Sequence, residues 1–273
     1  MAERNGKTAL VTGSTDGVGR MVATRLGKSG WRVLVHGRDR ARGEEVVAAI
    51  KAAGGAAEFL QADLAALAEV RRLAGMVQQA TDRLDLLINN AGIGSGGPQG
   101  KREESADGYE LRFAVNYLSG FLLTHLLLPL VRNSAPARIV NVSSLGQEAI
   151  DLADVMLMRG YNGMRAYRQS KLAQILFTID LAAELAGTGV TVNALHPATF
   201  MNTTMVRQFG TPISTVEEGA DAIMKLATSP ELEGKSGLYF NGQRQAKADR
   251  QAYDANARQR LKALSLQLTG LAA

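Results

Sequence analysis

The chain has 273 residues, 46% hydrophobic and 21% charged, with Lys+Arg 31 against Asp+Glu 26 for a formal net charge of +5. This excludes a disordered chain and is enough for a sizeable core. Cysteine is absent and the three histidines, His36, His125 and His196, stand far apart. Disulfide scaffolds, thiolate-bound metals and thiol nucleophiles are thereby removed, and no metal site is expected.

Taken in chain order, short apolar runs alternate with helical patterns. The first strand, Thr8–Thr12, runs into Thr12-Gly13-Ser14-Thr15-Asp16-Gly17-Val18-Gly19, where a helix over 18–28 begins. Glycines permit a tight strand-to-helix turn and let a pyrophosphate approach backbone N–H groups at a helix N-terminus. The spacing is Gly-x3-Gly-x-Gly, not the dinucleotide fingerprint Gly-x-Gly-x2-Gly. A second strand, Arg32–His36, leads to Gly37, Arg38 and Asp39. A carboxylate at that strand end would accept the hydroxyls of an adenosine ribose, whereas an arginine suits a 2′-phosphate. Gly37 stands where the carboxylate is expected and Arg38 follows, so NADP is the expected coenzyme; Asp39 is read as the cap of the next helix, 40–53. Arg38, Arg40 and Arg42 have no aromatic residues between them, so nucleic acid is not an expected partner.

A strand over Ala57–Gln61, a helix over 66–81 and a strand over Leu84–Asn89 follow, then a long helix over 107–132. Its most apolar stretch, Phe121–Val131, is interrupted by Thr124 and His125 and is too short for a hydrocarbon layer of about 30 Å. With no signal-type apolar run in Met1–Lys7, a cytoplasmic protein without a membrane span is expected. After a strand over Arg138–Ser143 comes a helix over 166–186, which places Tyr167 and Lys171 four residues apart on one face. An ammonium about 5 Å from the phenol, at an effective dielectric near 20, would lower the tyrosine pKa by about two units. Such a pair suits proton exchange with a carbonyl or an alcohol. Strands over Thr191–Leu195 and Leu238–Phe240, a helix over 215–228 and a helical tail from about 247, with Leu261, Leu264 and Leu268 on one stripe, complete the chain. The alternation predicts one α/β domain over residues 1–273, a doubly wound parallel sheet of about seven strands with helices on both faces.

Five motifs together resemble the short-chain dehydrogenase/reductase family, whose fold is Rossmann-type. They are Thr12-Gly13 with Gly17-Val18-Gly19; Asn89-Asn90-Ala91-Gly92; Asn116 in Phe113–Tyr117; Ile139–Ser144; and Tyr167-x3-Lys171. The similarity covers about residues 5 to 243. It implies that Tyr167 is the general acid/base and that Lys171 lowers its pKa and holds the nicotinamide ribose. Ser144, rather than Ser143, would orient the substrate carbonyl, and Asn116 would hold a water in a relay to Lys171. The same resemblance implies coenzyme contacts at Gly13, Ser14, Thr15, Gly17, Val18, Gly19, Arg38, Asp63, Leu64, Asn90, Ala91, Gly92, Pro197 and Phe200. Asp63 also reads as a helix cap. After the sixth strand, Ala198 replaces the family's usual glycine, and the carboxamide contact stays open between Asn202 and Thr203.

The 23-residue step from Ser144 to Tyr167, with Met156-Leu157-Met158 and Tyr161, is longer than usual and similar to the retinol-dehydrogenase-like branch. That resemblance implies a bulky, lipophilic carbonyl or alcohol substrate; reduction of a conjugated double bond, or coenzyme sensing without turnover, are the alternatives. The long helices, with Leu122, Leu123, Leu176 and Phe177, suggest a homodimer or homotetramer through the face such helices share in the family.

Overall fold

The computed structural model describes residues 6–97, 100–207 and 210–272. Eight strands form one sheet in the order β3-β2-β1-β4-β5-β6-β7-β8. They are β1 Thr8–Val11, β2 Arg32–Gly37, β3 Ala56–Gln61, β4 Leu86–Asn89, β5 Ala137–Val142, β6 Val190–His196, β7 Tyr239–Asn241 and β8 Arg244–Ala246. All neighbours pair in parallel except β7 and β8, which are antiparallel. The eighth strand is one more than expected from the sequence: a short polar edge piece whose residues carry no apolar pattern. Strand order reverses beside β1, where β2 lies on one side and β4 on the other. In open α/β sheets, the crevice at that switch point, above the carboxyl ends of the strands, is where ligands bind.

Both sheet faces are covered, which is why β1, β4 and β6 are buried at every position. Helices α1 Gly17–Lys28, α2 Arg40–Ala52 and α7 Val216–Thr228 close one face, with Val22, Leu26, Ile50 and Ile223 in its core. Helices α3 Leu67–Ala80, α4 Ser119–Asn133 and α5 Gly163–Glu184 close the other. A short helix, α6 Thr204–Arg207, lies between β6 and α7, and α8 Ala255–Thr269 is the last. Caps set several starts: Asp16 accepts from Gly17 N–H, Asp39 from Arg42 N–H as expected, and Asn162 from Arg165 N–H. Gly270, at φ 62°, ends α8.

A π-helical turn, Phe113–Leu118, precedes α4 without a break. Together they form a helix, Phe113–Asn133, of 21 residues in which an 18-residue window reaches mean hydropathy 1.6, long and apolar enough to cross a membrane by length and composition. The expectation that no segment could span rested on the shorter Phe121–Val131 stretch. In the fold, Phe113, Tyr117, Phe121, Leu122 and Leu127 of this helix are buried in the core beside α3 and α5.

Helix α8 packs on α5. The hydroxyls of Tyr117 and Ser265 are 2.7 Å apart, Arg258 pairs with Asp180 at 2.6 Å and Lys262 with Glu184 at 2.7 Å. Leu122, Leu123, Leu176 and Phe177, the residues that suggested assembly, are already buried within this one chain.

Candidate active site

The glycine turn is latched to its neighbours by hydrogen bonds. Thr12 Oγ1 donates to the Ile88 carbonyl at 3.2 Å and accepts from the N–H groups of Asn90 and Ala91, each at 3.0 Å. The Asn90 amide donates to the Thr12 and Gly13 carbonyls, at 2.9 and 3.1 Å. Asn90, expected at the coenzyme, thus directs its side chain into the turn. Gly13 and Gly17 adopt φ 64° and 51°, a region costly for other residues. A Cβ on Gly13 would lie 2.8 Å from Ala91 Cα, and one on Gly19 would overlap the Gly13 carbonyl and the Asn90 amide. Bare backbone at these positions, with the α1 N–H groups that have no intrahelical partner, fits a pyrophosphate.

At the adenosine end, Thr15 packs against Gly37, where a Cβ would overlap the threonine side chain. Arg38 is 69% exposed and stands 3.9 Å from Asp63, itself 50% exposed. Asp63 also accepts from Ala65 N–H at 3.0 Å, a turn ahead of α3; it does not cap that helix, which starts after Ala66 with its Leu67 N–H bonded to Asp107, and Leu64 is buried. Arg42 lies 3.7 Å from Asp16, and Thr204 donates to the same carboxylate at 2.8 Å.

The second half of the site gathers at the ends of β4, β5 and β6. Ser144 Oγ accepts from Gly146 N–H at 3.0 Å and stands beside the Tyr167 ring, both within 4 Å of where a Gly146 Cβ would lie. Ser143 faces the other way and donates to the Lys171 carbonyl at 2.6 Å. Asn116, in the π turn, donates to the Ile93 carbonyl and to Ser170 Oγ and accepts from Ile93 N–H at 2.7 Å. It therefore fixes the segment after β4 to α5. A Cβ on Gly92 would lie 3.2 Å from Asn116 Oδ1 and 3.4 Å from Lys171 Nζ, so that backbone runs in close contact with both side chains. π-helical insertions of this kind are frequent at functional sites.

The electrostatics differ from the simple pair that the spacing suggests. Lys171 Nζ is buried, donates to the Val142 carbonyl at 3.0 Å and to Gln174 Oε1 at 3.1 Å, and lies 5.8 Å from the Tyr167 ring centroid. Burial pushes its pKa down to about 8. Burial also pushes the Tyr167 phenol up, opposed by the Ser144 hydroxyl. In the coenzyme-free protein, desolvation is the largest influence on the phenol, and the lowering by Lys171 that the helical spacing suggests does not appear.

The loop after β6 completes the rim. Ala198 keeps a negative φ, and the left-handed residue is Phe200, at φ 45° and 56% exposed. Asn202 lines a surface cavity of about 590 Å³ with Gly17, Met21, Ile213 and Thr215. The Thr203 methyl would lie 3.2 Å from a Cβ on Gly17, so Thr203 covers the glycine turn itself. Pro197 follows directly on β6.

Four groups escaped the sequence reading. Gln174, at i+3 from Lys171, was findable from helical spacing. His196, which ends β6, pairs with Thr199 Oγ1 at 2.9 Å, and burial together with the nearby Lys171 charge lowers its pKa to about 4. His36 meets the glycine turn. The fourth group is buried: Tyr161 of the long insertion donates to Glu110 Oε1 at 2.9 Å, Glu110 Oε2 accepts from Phe113 N–H at 2.7 Å, and Arg112 stands 3.5 Å away. That cluster ties the insertion to the helix carrying Asn116.

A parallel sheet with its glycine turn at the switch point, facing a Ser–Tyr–Lys group on the next strands, defines a dinucleotide-dependent oxidoreductase architecture. The family described as short chain dehydrogenase matches residues 7–213. Human retinol dehydrogenase 14 is 39% identical over 98% of this chain and 87% of its own, and human retinol dehydrogenase 13 is 38% identical over 98% and 86%. Mouse polyprenol dehydrogenase is 39% identical over 97% and 84%. Among solved structures, the Pseudomonas aeruginosa RhlG/NADP active-site complex superposes with a TM-score of 0.70 at 30% identity, covering 88% of this chain and 95% of that one. The chain belongs to the short-chain dehydrogenase/reductase family, in its retinol-dehydrogenase-like branch.

Proposed function

We propose that the protein is an NADP(H)-dependent oxidoreductase that reduces a ketone or aldehyde, or oxidises the corresponding alcohol, of a bulky lipophilic substrate. The observation that carries this reading is the convergence of three side chains at the carboxyl edge of the sheet: Ser144 Oγ and the Tyr167 ring both lie within 4 Å of where a Gly146 Cβ would stand, and Lys171 Nζ is 5.8 Å from the Tyr167 ring centroid. When bound, the nicotinamide supplies or accepts the hydride. The chain supplies position and the proton. In the reducing direction Tyr167 Oη gives its proton to the carbonyl oxygen, and Ser144 donates a hydrogen bond to the same atom. Because burial holds the phenol protonated, the acid is present across the neutral range. Lys171 stands by the tyrosine ring, placed to hold ribose hydroxyls once the coenzyme is seated.

Arg38, exposed and only loosely paired, supports NADP over NAD, and a relative solved with NADP agrees. A lipophilic substrate is supported by the names of the retinol and polyprenol dehydrogenases and by exposed Leu145, Met158, Phe200 and Ile213 on loops at this edge. Helix Phe113–Asn133 is read as a core helix, given its buried face. The test is NADPH oxidation with a panel of retinal-sized and small carbonyls, with product identified. Tyr167→Phe is expected to lower kcat at least about a hundredfold while NADPH affinity changes little. Near-normal turnover in that variant overturns the tyrosine role.

A further inference from the structure

His36 ends on the glycine turn rather than in the core. Four hydrogen bonds join it to that turn: Ser14 N–H and Ser14 Oγ donate to the His36 carbonyl at 2.9 and 3.4 Å, His36 N–H donates to Ser14 Oγ at 3.0 Å, and Gly13 N–H donates to the ring Nδ1 at 3.1 Å. The last is the informative one. An Nδ1 that accepts carries no proton, so the ring is neutral, with its proton on Nε2. Burial agrees, pushing the pKa down to about 4. Nε2 is buried and has no partner within hydrogen-bond distance, with the Ala62 backbone near enough only to raise the ring's pKa a little, so the formed bond of the ring is the one that Nδ1 accepts. The turn above it has no slack, because a Cβ on Gly13 would already lie 2.8 Å from Ala91 Cα.

We propose that His36 is a positioning residue for the coenzyme: by accepting the Gly13 N–H it holds the glycine turn at the height that presents the α1 N-terminus to the pyrophosphate. His36 does not touch the coenzyme in this arrangement. The inference rests on the NADP(H) reading above. Without the acceptor, a partly buried N–H is left unmade at the base of the turn, and the turn shifts to find water.

The experiment compares two amides. In His36→Asn the carbonyl oxygen stands as far from the backbone as Nδ1 does; in His36→Gln it stands one bond further, where Nε2 was. NADPH affinity is measured by fluorescence titration, alongside kcat at saturating NADPH. Asparagine is expected to bind within about threefold of the unmodified protein, and glutamine about tenfold more weakly, one lost hydrogen bond's worth, with kcat at saturation changed less than about twofold. Equal binding by all three proteins overturns the proposal, and so does an asparagine variant as weak as the glutamine one. Should the glutamine variant fail to fold, His36→Leu takes its place. If neither folds while the asparagine variant does, the role is in folding and the proposal falls. An unmodified protein that binds neither NADPH nor NADH would sink the functional reading instead.

Discussion

Arg38→Ala isolates the coenzyme choice. The guanidinium is 69% exposed and stands 3.9 Å from an Asp63 carboxylate that is 50% exposed. A solvated pair of that kind is worth about 0–1 kcal/mol, so little resists turning Arg38 toward a 2′-phosphate. A charge-assisted hydrogen bond to phosphate contributes about 1.5–3 kcal/mol, less the up to about 1 kcal/mol of the Arg38–Asp63 pair given up to make it. The net is roughly tenfold in affinity. Titration by coenzyme fluorescence is therefore expected to show the NADPH Kd rising about tenfold in Arg38→Ala and the NADH Kd staying within about twofold. Equal losses for both coenzymes, or equal affinities in the unmodified protein, refute the argument. Reversing the preference takes more than a carboxylate at Gly37. A Cβ there overlaps Thr15, so Gly37→Asp has to be combined with Thr15→Ala before its charge can be judged.

Two further perturbations address the substrate side and pH. Tyr161→Phe leaves buried Glu110 without one partner, which is expected to cost about 1–3 kcal/mol of stability in a thermal melt. By loosening the insertion it should also raise KM for bulky apolar substrates more than for small ones; equal rises would remove the insertion from substrate contact. Lys171 is held near pKa 8 in the folded protein, below the usual lysine value. Between about pH 8 and 10.5 the unfolded chain therefore binds more protons than the native one, and stability rises with pH. Denaturant unfolding of the coenzyme-free protein at pH 7.5 and 10 should register this residue's rise, up to about 3 kcal/mol, and Lys171→Met should flatten it. An unchanged slope in that variant would contradict the burial argument.

Most of the fold is legible because both faces of the sheet are covered. Strands such as Leu86–Asn89 read as short apolar runs, and Gly, Asp and Asn mark where helices begin. What the pattern misses lacks an apolar signature or crosses a boundary. Strand Arg244–Ala246 is a polar edge. The π turn over Phe113–Leu118 repeats apolar residues as an α-helix would, so periodicity predicts one continuous helix and not the widened turn that presents Asn116. The apolar stripe of the tail is visible, but not that Phe177 and its neighbours on the long helices are buried within one chain.

The candidate site divides in the same way. Spacing brings Tyr167 and Lys171 to one helix face, and order along the chain brings Ser144 and the glycine turn to one sheet edge. Spacing says nothing of where a charge is directed. The Lys171 ammonium is held by the Val142 carbonyl, 29 residues away, and by Gln174, while burial is what pushes the phenol up. A histidine inside an apolar run likewise reads as strand core; its function as an acceptor appears only when Gly13, 23 residues earlier, is brought against it. Hydrophobic period reports which face a side chain takes, and donor–acceptor partnership is set by the fold as a whole. In this site the partnerships hold protons in place: a neutral His36 under the turn, a protonated Tyr167 beside Ser144, and an ammonium tied to backbone. That arrangement is suited to delivering a proton to a carbonyl oxygen without first rearranging a charge.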